Sequence, residues 1–142
     1  MNKINSEEAY LFDKLLCLSK QINTKFERCT GISPSRLGIL HQLYQVDEIS
    51  QTMLQKEVNI DSAAVTRQLK QLEAAGMVSR RNNPDDNRVT LVCLTDQGRK
   101  EIISYRDEKT QFLTQMLKDF NEQERDTLSA MLQCMISNVS QF

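Results

Sequence analysis

Apolar positions recur at helical spacing along most of the chain. From Glu7 to Arg28, Leu11, Leu15, Leu18 and Ile22 share one stripe, widened by Phe12, Leu16 and Phe26, with no Gly or Pro to interrupt it. "CTGIS" then breaks the period. Ser33 before Pro34 reads as the N-cap and first position of a second helix, with a stripe of Leu37, Leu40, Leu43 and Tyr44. "QVDEIS" ends it, and Ser50 is placed to cap a short third helix carrying Met53, Leu54 and Val58. In "NID", Asn59 tolerates a left-handed turn. Asp61 then caps a fourth helix, Ser62 to about Ala75, which Gly76 ends. Val65, Leu69 and Leu72 mark its buried face, and Ala63, Thr66, Arg67 and Lys70 the opposite one.

The period changes after Gly76. "MVSRR" and "RVTLVCL" are rich in β-branched residues and read as two strands, with "NNPDDN" as the turn between them. Thr95 and Asp96 cap a long helix whose apolar residues gather at its ends, Ile102 with Ile103 and Phe112 to Phe120. Its middle, "SYRDEKTQ", is a polar strut. "NEQE" opens a last helix striped by Leu128, Leu132, Met135 and Val139, widened by Met131 and Ile136. The predicted fold is mainly α with a small β-hairpin wing (α+β), a winged helix-turn-helix flanked by terminal helices. Residues 33–98 form the winged lobe. Residues 1–32 and 99–142 form a helical dimerisation lobe, the two parts making one intertwined structural unit.

Composition narrows the function. A chain of 142 residues with 39% apolar and 26% charged residues suits one ordinary globular domain or two small lobes. No apolar run approaches the roughly 20 residues of a membrane span. "MNKINSEEAY" lacks the apolar core of a secretion signal, so a cytoplasmic protein with no membrane partner is expected. The net charge of −1 does not announce a nucleic-acid partner. Between Ser62 and Asn83, however, Arg67, Lys70, Arg80 and Arg81 face only Glu73, a local excess of positive charge.

Cys17, Cys29, Cys93 and Cys134 form no C-x-x-C pair, and His41 is the one histidine. No metal site and no cofactor are expected, and the thiols should be free. An enzyme is not expected either. There is no G-x-S-x-G, no H-E-x-x-H and no glycine-rich phosphate loop, and one histidine leaves little for acid–base chemistry.

Two short helices joined by a tight turn and followed by a hairpin suit double-stranded DNA. The fourth helix is narrow enough for the major groove. Ser62 and Ala63 are small enough to allow close approach, and Thr66, Arg67 and Lys70 have the chemistry to meet base edges or phosphates. The plain alternative is a solvated helix face with incidental charge. A wing reaches the minor groove, whose negative potential attracts arginine. Asp86 stands two residues before Arg88, close enough in a tight turn to hold the guanidinium in one direction.

Asp86-x-Arg88 followed by Leu94-Thr95-x-x-Gly98 resembles the wing signature of the MarR (multiple antibiotic resistance regulator) family. "VTRQLKQLEAAGMVSRR", Val65 to Arg81, resembles that family's recognition helix and first wing strand. The resemblance covers nearly the whole chain. It implies a homodimeric repressor, or less often an activator, on pseudo-palindromic DNA, with Arg88 as the minor-groove arginine and Asp86 as its orienting partner. It also implies release by a small, often phenolic ligand or by oxidation. A ligand would sit between the dimerisation and DNA lobes, where Phe12, Leu16, His41 and Tyr44 are candidates to line a pocket. Core packing is the plainer role for the first three of the aromatic and aliphatic members, Phe12, Leu16 and Tyr44. For oxidation the candidate is Cys17, in the first helix but more than a turn from the usual sensing position, where it also serves as a small apolar residue of the stripe. The rival reading is a winged-helix protein–protein interaction module without DNA binding.

Overall fold

The computed structural model describes residues 6–58 and 60–142. The first five residues and Asn59, where the sequence places part of the polar amino terminus and a left-handed turn, lie outside the described residues.

By packing, the chain falls into two compact units, residues 1–109 and 110–142. The first contains α1 (Ser6–Thr30), α2 (Pro34–Tyr44), β1 (Ile49–Ser50), α3 (Gln51–Val58), α4 (Ser62–Ala74), β2 (Val78–Asn83), β3 (Asp86–Leu94) and α5 (Asp96–Ser104). α6 (Arg106–Met116) begins in the first unit and ends in the second, which also holds α7 (Glu122–Val139).

The helix starts follow the capping residues of the sequence. Ser33 Oγ accepts from the Arg36 N–H at 3.2 Å, with Pro34 in the first turn. Ser50 Oγ accepts from the Met53 N–H, and Asp61 Oδ1 from the Ala64 N–H at 2.9 Å. Asn121 and Glu124 form a reciprocal capping box at the start of α7. Each such cap satisfies amide groups that a helix start otherwise leaves unpaired. Gly76 follows α4 with φ +78°, a left-handed conformation that costs glycine nothing.

The core of the first unit is built from α2, α3, α4 and the sheet. Leu40, Leu43, Leu54, Leu69 and Val92 are wholly buried. α2 packs against α1, α3, α5 and β3, so it is buried on more sides than its expected stripe covers. Ile39, outside that stripe, is as buried as Leu40. Tyr44, expected in the stripe, is exposed, with the Arg99 guanidinium 5.6 Å from its ring centre. In α3 only Leu54 is buried, and Met53 is exposed.

Two further elements differ from expectation. The sheet has three strands in the order β1-β3-β2, all antiparallel, not the hairpin alone. Ile49 pairs with Val92 and Ser50 with Leu91, a two-residue strand that shows no periodicity and forms only because β3 offers it an edge. The long helix expected from Asp96 is interrupted at Tyr105, between α5 and α6. There Ser104 Oγ donates to the Glu101 carbonyl at 2.6 Å, competing with the backbone bond from Tyr105 N–H to the same oxygen. Such back-bonding weakens and bends helices.

In the second unit, α6 and α7 are joined through Asp119, whose φ of 72° is one that aspartate tolerates better than most residues. Arg125 of α7 donates to the Phe120 and Leu117 carbonyls, closing the end of that turn.

Candidate nucleic-acid interface

The exposed side of α4 is an open groove lined by Ser62, Ala63, Thr66, Arg67, Lys70 and Gln71. The five α4 residues singled out from sequence therefore share one surface. Gln71 joins them; helical spacing from Arg67 places it there, and its amide can donate and accept at once. Val65, Leu69 and Leu72 anchor the opposite face in the core, which fixes the direction of the groove.

The local positive charge is smaller than the sequence count suggests. Arg80 is tied to Glu73 at 3.0 Å. Arg81 makes two hydrogen bonds to Glu48, Nη2 to Oε1 at 2.8 Å and Nε to Oε2 at 2.9 Å. Glu48 lies 33 residues earlier, outside the counted stretch, so no local reading would pair them. Hydrogen bonding to these arginines holds both glutamates below the usual carboxylate range, so both stay charged at neutral pH. Among the described residues no ion pair involves Arg67 or Lys70. These two carry the unneutralised charge of α4.

The wing turns at Pro84 and Asp85, since Asn83 pairs with Asp86. Asn83 Oδ1 accepts from the Asp85 N–H at 2.9 Å and stiffens the turn. Asn82 pairs with Thr90, so Asn87, Arg88 and Val89 lie on β3 in a register break with no counterparts on β2. A bulge of this kind re-aims side chains. Arg88 is 90% exposed at the side chain. Asp86 accepts from its backbone N–H, its Nε and its Nη2. Those hydrogen bonds hold the Asp86 carboxyl below its ordinary range.

Behind the wing, Thr95 joins two elements. Its hydroxyl donates to the Gly76 carbonyl at 2.6 Å and accepts from the Gly98 N–H at 3.0 Å. Its own N–H donates to the Met77 carbonyl. The end of α4 and the start of α5 are thereby fastened together. Gly98 is buried at this junction, where an added Cβ would run into the Met77 carbonyl oxygen.

The four effector candidates do not converge. His41 and Tyr44 line a cavity of about 160 Å³ with Leu37, Ile102, Tyr105, Arg106 and Lys109. Phe12 and Leu16 lie exposed on α1 and do not line it. Burial, then the charge of Glu101, pushes the Tyr105 hydroxyl up from its ordinary pKa. Cys17 is exposed, with the Gln21 side-chain amide donating to its sulfur at 3.4 Å. Cys93 on β3 lies 3.1 Å from the Ser79 hydroxyl, and Cys134 is exposed. Among the described residues no group of three or more His, Cys, Asp or Glu is placed to hold a metal ion. No helix among them is long and apolar enough to cross a membrane.

Comparison with known proteins gives a consistent result. The sequence pattern of the MarR family matches residues 32–90, which holds α2 to α4, β2 and the first part of β3. The HTH-type transcriptional regulator YdgJ of Bacillus subtilis (strain 168) is 56% identical over 135 residues, covering 95% of this chain and 82% of its own. The fold is shared with a mutant MarR from E. coli complexed with operator DNA, at a TM-score of 0.83 and 23% identity over 94% of this chain and 99% of that one. It is shared also with CouR, a transcriptional repressor bound to a 23-mer DNA duplex, at a TM-score of 0.80 and 21% identity over 96% and 99%.

Proposed function

The chain belongs to the MarR family of helix-turn-helix transcriptional regulators, and from that premise we propose that it is a cytoplasmic, dimeric repressor of a pseudo-palindromic operator. It is not an enzyme. The observation that carries the DNA reading is the pairing of two separately built surfaces. α4 presents Arg67 and Lys70, which have no ion-pair partners among the described residues, and the bulged wing presents an Arg88 already clasped by Asp86. A major-groove helix with a flanking minor-groove arginine is what these two surfaces suit. In this reading Ser62, Ala63, Thr66, Arg67 and Lys70 face the major groove, and Arg88, oriented by Asp86, the minor groove. A protein–protein module need not keep Arg67, Lys70 and Arg88 all pointing outward.

Dimerisation rests on apolar surface that one chain leaves uncovered. Leu11, Leu15 and Leu18 on α1, and Met131, Leu132 and Met135 on α7, are all exposed. Apolar surface on this scale marks an interaction site, and a twofold dimer matches a palindromic operator. We take residues 33–98 as the DNA lobe and the terminal helices as the dimerisation lobe.

A small aromatic anion is the effector that best suits the cavity between α2 and α5–α6. Tyr44 and Tyr105 supply ring surface, and Arg106 and Lys109 supply cations. Cys17 is the weaker trigger, because a reactive thiol needs a cation or helix N-terminus beside it, its hydrogen-bond donor is the Gln21 amide, and its stripe offers only Lys14 and Lys20 as cations.

The test is selection of bound sequences from random duplex DNA, followed by anisotropy titration of the selected duplex across salt concentrations. A palindromic consensus and a steep salt slope are expected. Titration with salicylate-like aromatics should release the DNA, and peroxide should not. Absence of any salt-dependent duplex binding sinks the DNA reading, and release by peroxide alone reverses the choice of signal.

A further inference from the structure

The groove face of α4 mixes long polar side chains with short ones, and one of the short ones is controlled from another helix. Thr66 is half-buried and lines the groove beside Ala63. Its hydroxyl donates to the Ser62 carbonyl one turn back at 2.8 Å. The side-chain amide of Gln51, in the first turn of α3, donates into the same oxygen at 3.1 Å. A threonine hydroxyl has one proton and two lone pairs. The proton is spent on Ser62 and one lone pair on Gln51. Gln51 Oε1 is buried and without a hydrogen-bond partner among the described residues, so the Nε2 bond to Thr66 is the hydrogen bond that orients this amide. What Thr66 has left to offer a ligand is its methyl group and one lone pair, with no proton to donate. Ala63, on the same face and exposed, offers another.

In the major groove, thymine is distinguished by its C5-methyl, which pairs with apolar contacts from alanine or from a threonine methyl. We propose that the Ser62 carbonyl and Gln51 together hold the Thr66 hydroxyl, so that α4 selects a thymine in each half-site by methyl contact from Thr66 and Ala63, not by a hydrogen bond donated by the Thr66 hydroxyl. The proposal rests on the reading of α4 as the major-groove element. Gln51 acts as a positioning residue: it does not touch the base, and it fills one lone pair of the hydroxyl whose proton the Ser62 carbonyl already holds.

The experiment uses the full chain and its selected operator, with each thymine replaced in turn by uracil, which lacks only the methyl group. At one position per half-site, wild type should bind the uracil duplex about fourfold more weakly, the worth of one buried methyl group. Thr66→Val keeps a methyl-bearing branch and discards the hydroxyl, so it should keep the uracil penalty. Thr66→Ser keeps the hydroxyl and discards the methyl, so it should shrink the penalty to what the Ala63 contact supplies. Gln51→Met preserves length without a donor; it should shrink the penalty and relax the preference for thymine at that base pair, with an unchanged melting temperature. A wild type indifferent to every uracil overturns the proposal, as does loss of the penalty in Thr66→Val. A Gln51→Met protein with the full wild-type penalty overturns the part assigned to Gln51. A wild type that binds no duplex defeats the DNA reading itself, and is told apart from the other outcomes at the first titration.

Discussion

Asp86 grips Arg88 from two residues away through both the backbone and the guanidinium: Oδ1 accepts from the Arg88 N–H and Nε, each at 3.1 Å, and Oδ2 accepts from Nη2 at 3.3 Å. The backbone bond belongs to the turn, and the other two fix the side chain. An exposed ion pair adds little to folding stability. Its consequence is for binding, since a guanidinium already held in one direction loses less freedom when it enters a groove.

Arg88→Ala should therefore weaken operator binding by about ten- to a hundredfold and lower the salt slope by about one per arginine removed. Asp86→Ala should cost less, because the cation remains and only its order is lost. Melting temperature should barely move in either variant. Anisotropy titrations at several salt concentrations check this, and equal affinity of Arg88→Ala and wild type throughout would reduce Arg88 to a surface charge.

The same clasp fixes a pH response. The Asp86 pKa is lowered, first by its side-chain hydrogen bond to Arg88. A lowered carboxylate pKa means that the clasp is complete above the ordinary value of about 4 and is lost only as pH falls through the depressed value. Between about pH 5 and pH 8, wild type and Asp86→Asn should show parallel affinity–pH curves, offset but of equal slope. Curves that converge within that window would mean that Asp86 titrates there.

The helices, their caps and the wing were legible because each rests on local chemistry: Ser33 before Pro34, Asp61 before α4, an Asn-rich turn between β-branched runs. What was hidden depended on partners distant in sequence. β1 exists because Val92 and Leu91 offer an edge to Ile49 and Ser50. Ile39 is buried because α2 has neighbours on several sides. The charge of Arg81 is offset by Glu48, which a count from Ser62 to Asn83 omits. The face of α4 was readable from its period, whereas the hold of Gln51 on Thr66 spans 15 residues and two helices.

Gly98 closes the stretch that resembles the family's wing signature, and its role here is steric. A Cβ there would run into the Met77 carbonyl oxygen and stand 3.0 Å from Leu94 Cδ2, inside the Thr95 junction. Gly98→Ala should destabilise the chain by about 1–3 kcal/mol, the range for overpacking. Thermal melts followed by circular dichroism test it. An unchanged melting temperature would show that the α4–α5 junction has slack.

Leu132 is 38% exposed on α7, beside Met131 and Met135. Leu132→Asp should convert a dimer to a monomer in sedimentation at micromolar concentration. The buried core, from Phe26 to Leu94, lies within the first unit, so helical circular dichroism should largely persist. A wild type that sediments as a well-folded monomer would defeat the dimer, and with it the twofold match to the operator.

The pairing of Glu48 with Arg81 makes a prediction opposite in sign to the others. Arg81 stands on the first wing strand with its side chain 58% exposed, yet Glu48 cancels its charge. Hydrogen bonding first, then charge, raises the Arg81 pKa, and the hydrogen bond from Arg81 outweighs desolvation to lower that of Glu48, so the pair stays ionised across neutral pH. Glu48→Gln leaves an amide of the same shape and releases one positive charge per subunit beside the DNA-facing surface. Folding stability should change little, as for other exposed ion pairs. Affinity for non-operator duplex should rise, and its salt slope should steepen by up to about one per subunit. Operator affinity should rise by no more, so the ratio of specific to non-specific binding stays level or falls. In that case Glu48 keeps the wing from holding DNA of the wrong sequence, a role for an acid in a DNA-binding protein whose net charge is −1. Titrations of operator and scrambled duplexes in parallel decide it: if Glu48→Gln leaves non-specific affinity and its salt slope unchanged, Arg81 lies beyond reach of the phosphates and the pair only holds the loop before β1 against β2.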